Sequence, residues 1–89
     1  MPEKILKVNI STPEKTIYEG ETSSLIAPGE LGYLGVLVDH APLIANLGPG
    51  NIIIKGLDDR QLTFRNKGAG ILEVLKNSVS VLVDDAEQA

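Results

Sequence analysis

Leu6-Lys7-Val8-Asn9-Ile10-Ser11 alternates apolar and polar residues without a break. This two-residue period puts Leu6, Val8 and Ile10 on one face of an extended chain and their polar neighbours on the other, the pattern of a strand with one face in a core. Leu62 and Phe64 repeat it between Gln61, Thr63 and Arg65, and Val79, Val81 and Val83 repeat it near the end of the chain. Valine, isoleucine and threonine are frequent, and their branched Cβ suits a pleated surface better than a helix. Thr12-Pro13, Gly20, Pro28-Gly29, Gly48-Pro49-Gly50, Gly56, Asp58-Asp59, Asn66-Lys67-Gly68 and Asn77-Ser78 punctuate the runs as turns or loops. No internal stretch of helical length, free of glycine and proline, carries apolar residues at i, i+3, i+4 and i+7.

These signals place strands near 4–11, 16–19, 22–27, 34–38, 42–47, 51–55, 60–65, 69–76 and 78–83. Many short strands with frequent turns mean an all-β sandwich or barrel. The chain divides into a β domain over 1–84 and an acidic tail over 85–89. Asp84-Asp85-Ala86-Glu87-Gln88-Ala89 has acids ahead of good helix formers, as the first turn of a helix would. One turn is not stable alone, so the tail is expected to be either frayed or the start of a severed helix.

Eighty-nine residues make one domain. Hydrophobic residues form 43% and charged ones 22%, too apolar a balance for disorder. The absence of cysteine excludes disulfides, thiolate metal sites and a cysteine nucleophile, and one histidine, His40, excludes histidine-rich metal sites. Net charge is −4, and the eight basic residues (Lys4, Lys7, Lys15, Lys55, Arg60, Arg65, Lys67, Lys76) form no stripe along which a phosphate backbone could run. Tyr18, Tyr33 and Phe64 are too few for a base-stacking platform, so nucleic acid is not the expected partner. No unbroken aliphatic run exceeds three residues, Ile52-Ile53-Ile54 being one of them, far below the ~20 residues of a membrane-spanning helix. Met1-Pro2-Glu3-Lys4 is followed by no secretory apolar segment, which predicts a cytoplasmic chain that meets a membrane only through a partner.

Candidate chemistry is sparse. Gly29, Gly32 and Gly35 recur every three residues but match neither the dinucleotide nor the P-loop spacing, and they read as a tight loop with positive φ. Asp39-His40 lacks a serine in a nucleophile-elbow pattern, so His40 is expected to cap loop carbonyls or meet a partner. Asp58-Asp59 reads as a hairpin tip, and Glu73, between Leu72 and Val74, as an outward-facing acid. The residues alone thus describe a small acidic all-β binding module with no cofactor and no metal.

Gly32-Tyr33-Leu34-Gly35-Val36-Leu37-Val38-Asp39-His40-Ala41-Pro42-Leu43, followed by Gly48-Pro49-Gly50, resembles the signature region of the epsilon subunit of bacterial rotary ATP synthases. Gly68-Ala69-Gly70-Ile71-Leu72-Glu73-Val74 resembles a later strand of that family, and Leu6 to Glu14 with Tyr18-Glu19-Gly20 is similar to its first hairpin. The resemblance covers essentially the whole chain. It implies a flattened sandwich of two sheets with about ten strands, and a non-catalytic central-stalk subunit that binds the gamma subunit and the c-ring of a proton-translocating ATP synthase. It implies a peripheral position on the cytoplasmic face of the bacterial cell membrane, with no cofactor and no catalytic residue. Carried over by position, Glu30, Leu31, Gly32, Tyr33, Leu34 and Gly35 face the c-ring, and His40, Thr12 and Ala45 face gamma.

Tyr33 stands where the family usually has a glutamate, which leaves Glu30 to supply the negative charge. Val38 replaces the usual proline before the histidine and keeps a backbone N–H there. Ala69 stands in the place of a glycine. Family members usually continue into a C-terminal two-helix hairpin that inhibits ATP hydrolysis, and this sequence ends at Ala89, as a naturally short form or a fragment. The resemblance then implies coupling retained and self-inhibition lost. A free-standing β-sandwich adaptor and a small enzyme or ligand-binding sandwich, marked by a deep apolar pocket beside His40, are the competing classes.

Overall fold

A computed structural model describes residues 5–89. Nine strands are present among them: β1 (Leu6–Ser11), β2 (Thr16–Gly29), β3 (Gly32–Leu37), β4 (Leu43–Leu47), β5 (Gly50–Gly56), β6 (Gln61–Asn66), β7 (Gly70–Leu75), β8 (Ser78–Val83) and β9 (Ala86–Gln88). The expected start of the first strand at Lys4 lies outside the described residues. The strands form two layers that share β2. One layer runs β4–β7–β8–β1 and ends on the first half of β2, and the other runs β3, the second half of β2, β5, β6 and β9. All ladders are antiparallel except β1–β8, where Lys7 lies beside Ser78 and Ser11 beside Leu82. The body is elongated, about 40 × 23 × 22 Å.

Alternation along the strands builds the core between the layers. Leu6, Val8 and Ile10 of β1 meet Val79, Val81 and Val83 of β8, Leu72 and Val74 of β7, and Ile52, Ile54 and Phe64 of the other layer, all at most 2% exposed. The Tyr18 ring packs on Phe64 with centroids 5.5 Å apart.

β2 departs from the two strands expected over 16–19 and 22–27, because Gly20 does not break it. Gly20 pairs with Val8 in the ladder, and the Tyr18 side chain lies over it: a Cβ there would sit 2.5 Å from Tyr18 Oη. The glycine makes room for a ring and is not a turn. The irregularity falls three residues later. The register slips between Thr22 and Ser24, and the inward side changes from the even positions (Tyr18, Gly20, Thr22) to the odd ones (Leu25, Ala27). A bulge of this kind bends a strand, and here it carries β2 from one sheet into the other.

The helix start expected over 84–89 is replaced by β9. Asn66 pairs with Ala86, Arg65 with Glu87 and Phe64 with Gln88. The Lys67 N–H donates to the Asp85 carbonyl at 3.0 Å and the Ala89 N–H to the Thr63 carbonyl at 2.8 Å. Pairing along the open edge of β6 satisfies backbone groups that one helical turn would leave bare, and Ala86 packs against the core.

Other turns follow the sequence closely. Asp58 and Asp59 form the β5–β6 tip, with the Gly56 N–H bonded to the Arg60 carbonyl at 2.7 Å. Of the three regularly spaced glycines, only Gly32 takes a positive φ, +131°; Gly29 and Gly35 belong to strands.

Candidate interaction surfaces

The β2–β3 hairpin closes on the Gly29–Gly32 pair, with Glu30 and Leu31 at its tip. Neither tip residue has a positive φ; Gly32 takes the unusual conformation instead, which lets larger side chains occupy the tip. Leu31 is fully exposed and Tyr33 is 62% exposed. The hairpin is tied down through backbone: the Glu30 N–H donates to the Asn46 carbonyl at 3.1 Å, and the Gly48 N–H to the Pro28 carbonyl at 2.9 Å. Asn66, 1% exposed, supports the base, its Nδ2 donating to the Gly48 and Gly68 carbonyls at 2.9 Å each and its Oδ1 accepting from the Gly68 N–H at 3.2 Å. Leu34 points partly inward, whereas Gly35 lies open with no atom within 4 Å of where a Cβ would stand. Glu30 to Gly35 therefore form one continuous outcrop at an end of the sandwich.

His40 sits in the β3–β4 connection. Its backbone N–H donates to the Leu37 carbonyl at 3.1 Å, closing a turn whose third residue, Asp39, has φ 66°. Its Nδ1 lies 2.7 Å from the Ala41 carbonyl oxygen. The imidazole is therefore in contact with a loop carbonyl, one of the two roles expected for it. Thr12 organises the β1–β2 loop: its hydroxyl accepts from the Lys15 N–H at 3.3 Å and its own N–H donates to the Lys15 carbonyl at 2.8 Å.

The three residues assigned to gamma are not brought together. Thr12 follows Ser11, and the ladders run from Ser11 through Leu82 and Ile71 to Asn46. Thr12 thus lies level with the far end of β4, three strand spacings of about 4.8 Å across the sheet. His40 precedes the opposite end of β4, at the diagonal corner. Ala45 pairs with the buried Leu72 and is half-buried on the inner side of β4. It lines a shallow groove of about 490 Å³ with Glu30, Leu31, Tyr33 and Ile44, so its neighbours are the residues assigned to the c-ring.

What lies between the two corners is a surface that the sequence reading passed over. Ile44 of β4, Ile71 and Leu75 of β7 and Leu82 of β8 all point outward, 49–71% exposed, with Glu73 among them. Ile71 pairs with Leu82, and Glu73 pairs with Ile44 and Ser80. The signal was present: in Gly70-Ile71-Leu72-Glu73-Val74-Leu75 both parities are apolar except at Glu73, as expected of a strand covered on both faces. Four surface grooves are shallow and open, and His40 lines none of them. Among the described residues no three of His, Asp or Glu cluster as metal ligands would, and no helix is long and apolar enough to cross a membrane.

Comparison with known proteins agrees with this architecture. Residues 5–89 match the family model described as the ATP synthase delta/epsilon chain β-sandwich domain. The ATP synthase epsilon chain of Leptospira interrogans is 43% identical over 79 residues, covering 89% of this chain and 61% of that protein. The epsilon chain of Xanthomonas euvesicatoria is 43% identical over 84 residues, covering 94% of this chain and 59% of that protein. The chain thus spans about three-fifths of the length of these relatives. Among solved structures, a chain of the Euglena gracilis mitochondrial ATP synthase superposes with a TM-score of 0.87 at 17% identity, over 99% of this chain and 55% of that one. A chain of the Tetrahymena thermophila mitochondrial ATP synthase central stalk and c-ring superposes with a TM-score of 0.74 at 20% identity, over 92% and 65%. With two sheets sharing one strand and a family match that runs through all nine strands, this chain belongs to the ATP synthase delta/epsilon chain β-sandwich family.

Proposed function

We propose that the chain is a non-catalytic central-stalk module of a bacterial proton-translocating ATP synthase, which binds the gamma subunit and the c-ring and helps couple proton flow to ATP synthesis. The observation that carries this reading is the pairing of two separate surfaces on a body of this family. A bare hairpin tip, Glu30–Leu31, projects at one end, and an apolar sheet face bearing Ile44, Ile71, Leu75 and Leu82 lies along the side. A stalk subunit needs two such surfaces, one for the shaft and one for the ring. In this reading the tip, with Gly32, Tyr33, Leu34 and Gly35 behind it, meets the polar loops of the ring. The side face, with His40 and Thr12 at its diagonal corners, meets gamma, and Ala45 belongs at the junction of the two. The module is peripheral, held at the cytoplasmic face of the cell membrane by the complex.

Co-purification of the chain with its own organism's gamma subunit, by size exclusion at moderate salt, tests this. A one-to-one complex weakened by Ile71→Asp is expected, and separate elution of the two proteins would overturn the gamma contact. On the ring side, Glu30→Gln is expected to reduce attachment to c-rings in an assembly assay while leaving the gamma complex intact. Unchanged attachment would remove Glu30 from the contact.

A further inference from the structure

Two loops far apart in sequence are locked together at the His40 corner. In the β7–β8 hairpin, Leu75 pairs with Ser78, and the two-residue turn Lys76–Asn77 has φ 49° and 62°. Positive φ at both residues is the hairpin turn whose twist matches the strands, and asparagine tolerates it well. The Asn77 carbonyl accepts from the Lys7 N–H at 2.8 Å, which fixes the turn to β1. Its side chain then reaches the β3–β4 connection. Asn77 Oδ1 accepts from the Asp39 backbone N–H at 2.6 Å, and Asn77 Nδ2 donates to Asp39 Oδ1 at 3.1 Å. The two bonds form a reciprocal clamp between a rigid hairpin and the residue just before His40.

We propose that Asn77 is a positioning residue for the gamma-binding surface: its amide, clamped on Asp39, holds the His40 loop in the conformation that a partner meets. The inference rests on the stalk reading above. Residues 38–42 lie outside any strand, so this segment draws its order from turn bonds and side-chain ties. Asp39 sits in a conformation that most residues avoid, and the clamp engages both its backbone and its side chain. Without the clamp the loop samples more conformations, and binding must supply the ordering.

Asn77→Gly tests this, because glycine accepts the positive φ without strain while the clamping side chain is removed. Hydrogen exchange of the Asp39 N–H in the free chain is expected to quicken in the variant; unchanged exchange would overturn the clamp whatever the chain binds. Titration against the purified gamma subunit is expected to show affinity about 3- to 10-fold weaker, with the loss in the association rate. In a His40→Ala background the Asn77→Gly loss should shrink, since both changes then act on one loop. Equal affinity of Asn77→Gly and parent, or an undiminished loss beside His40→Ala, would overturn the positioning role. Failure of the parent chain itself to bind gamma would instead overturn the stalk reading, and that result is seen before any variant is compared.

Discussion

Two asparagines hold the two ends of this sandwich by the same chemistry and in opposite settings. Asn66 is 1% exposed and makes three bonds to the backbone of Gly48 and Gly68 beneath the Glu30 hairpin. Asn77 is half-buried in a surface turn and clamps Asp39 beside His40. Burial decides what each amide is for. Where water is excluded, a lost partner leaves donors and acceptors bare, so the cost falls on folding. Where water can take the partner's place, the bonds add little to stability and their value lies in the shape they select.

The contrast can be broken most sharply by Asn66→Asp, which keeps the shape but sets a buried carboxylate against the Gly48 and Gly68 carbonyl oxygens. A loss of roughly 3–5 kcal/mol of unfolding free energy is expected, the order of an uncompensated buried charge, read by urea denaturation. Asn66→Ala removes the amide without adding charge and should cost about 1–3 kcal/mol. If it left the denaturation midpoint unmoved, burial would not be the deciding variable. Asn77→Gly should change stability by less than about 1 kcal/mol while weakening the gamma complex. A folding loss as large as that of Asn66→Ala would erase the distinction.

Period-two patterning made most strands legible, because an inward branched residue at every second position is itself the physical cause of a half-buried strand. The misreadings have equally physical roots. Gly20 looks like a breaker, yet the space it leaves is filled by Tyr18, its neighbour two residues back on the same face. The tail looks like a helix start when judged by composition, but an unpaired edge on β6 offers its backbone more bonds. The hairpin tip at Glu30 and Leu31 was legible from the glycines around it. The separation of Thr12 from His40 was not, since it depends on β1 lying beside β8, a pairing that no local pattern encodes. The same pairing hid the Asn77–Asp39 clamp: each residue reads locally as a turn former, and only the folded sheet brings them together.

That parallel ladder also bears on how the chain acquires its structure. Of the nine described strands β1 is made before the rest, yet its neighbour in the sheet is β8, and Lys7 must find Ser78 before the layer can close. During synthesis β1 can form its hairpin with β2 early, but one edge of that hairpin stays open until β8 has emerged. Contacts of such long sequence separation are slow to close, so the nascent chain passes through an interval with Leu6, Val8 and Ile10 uncovered. The arrangement makes completion of β8 the step that ends exposure of the first strand to chaperones and to other chains.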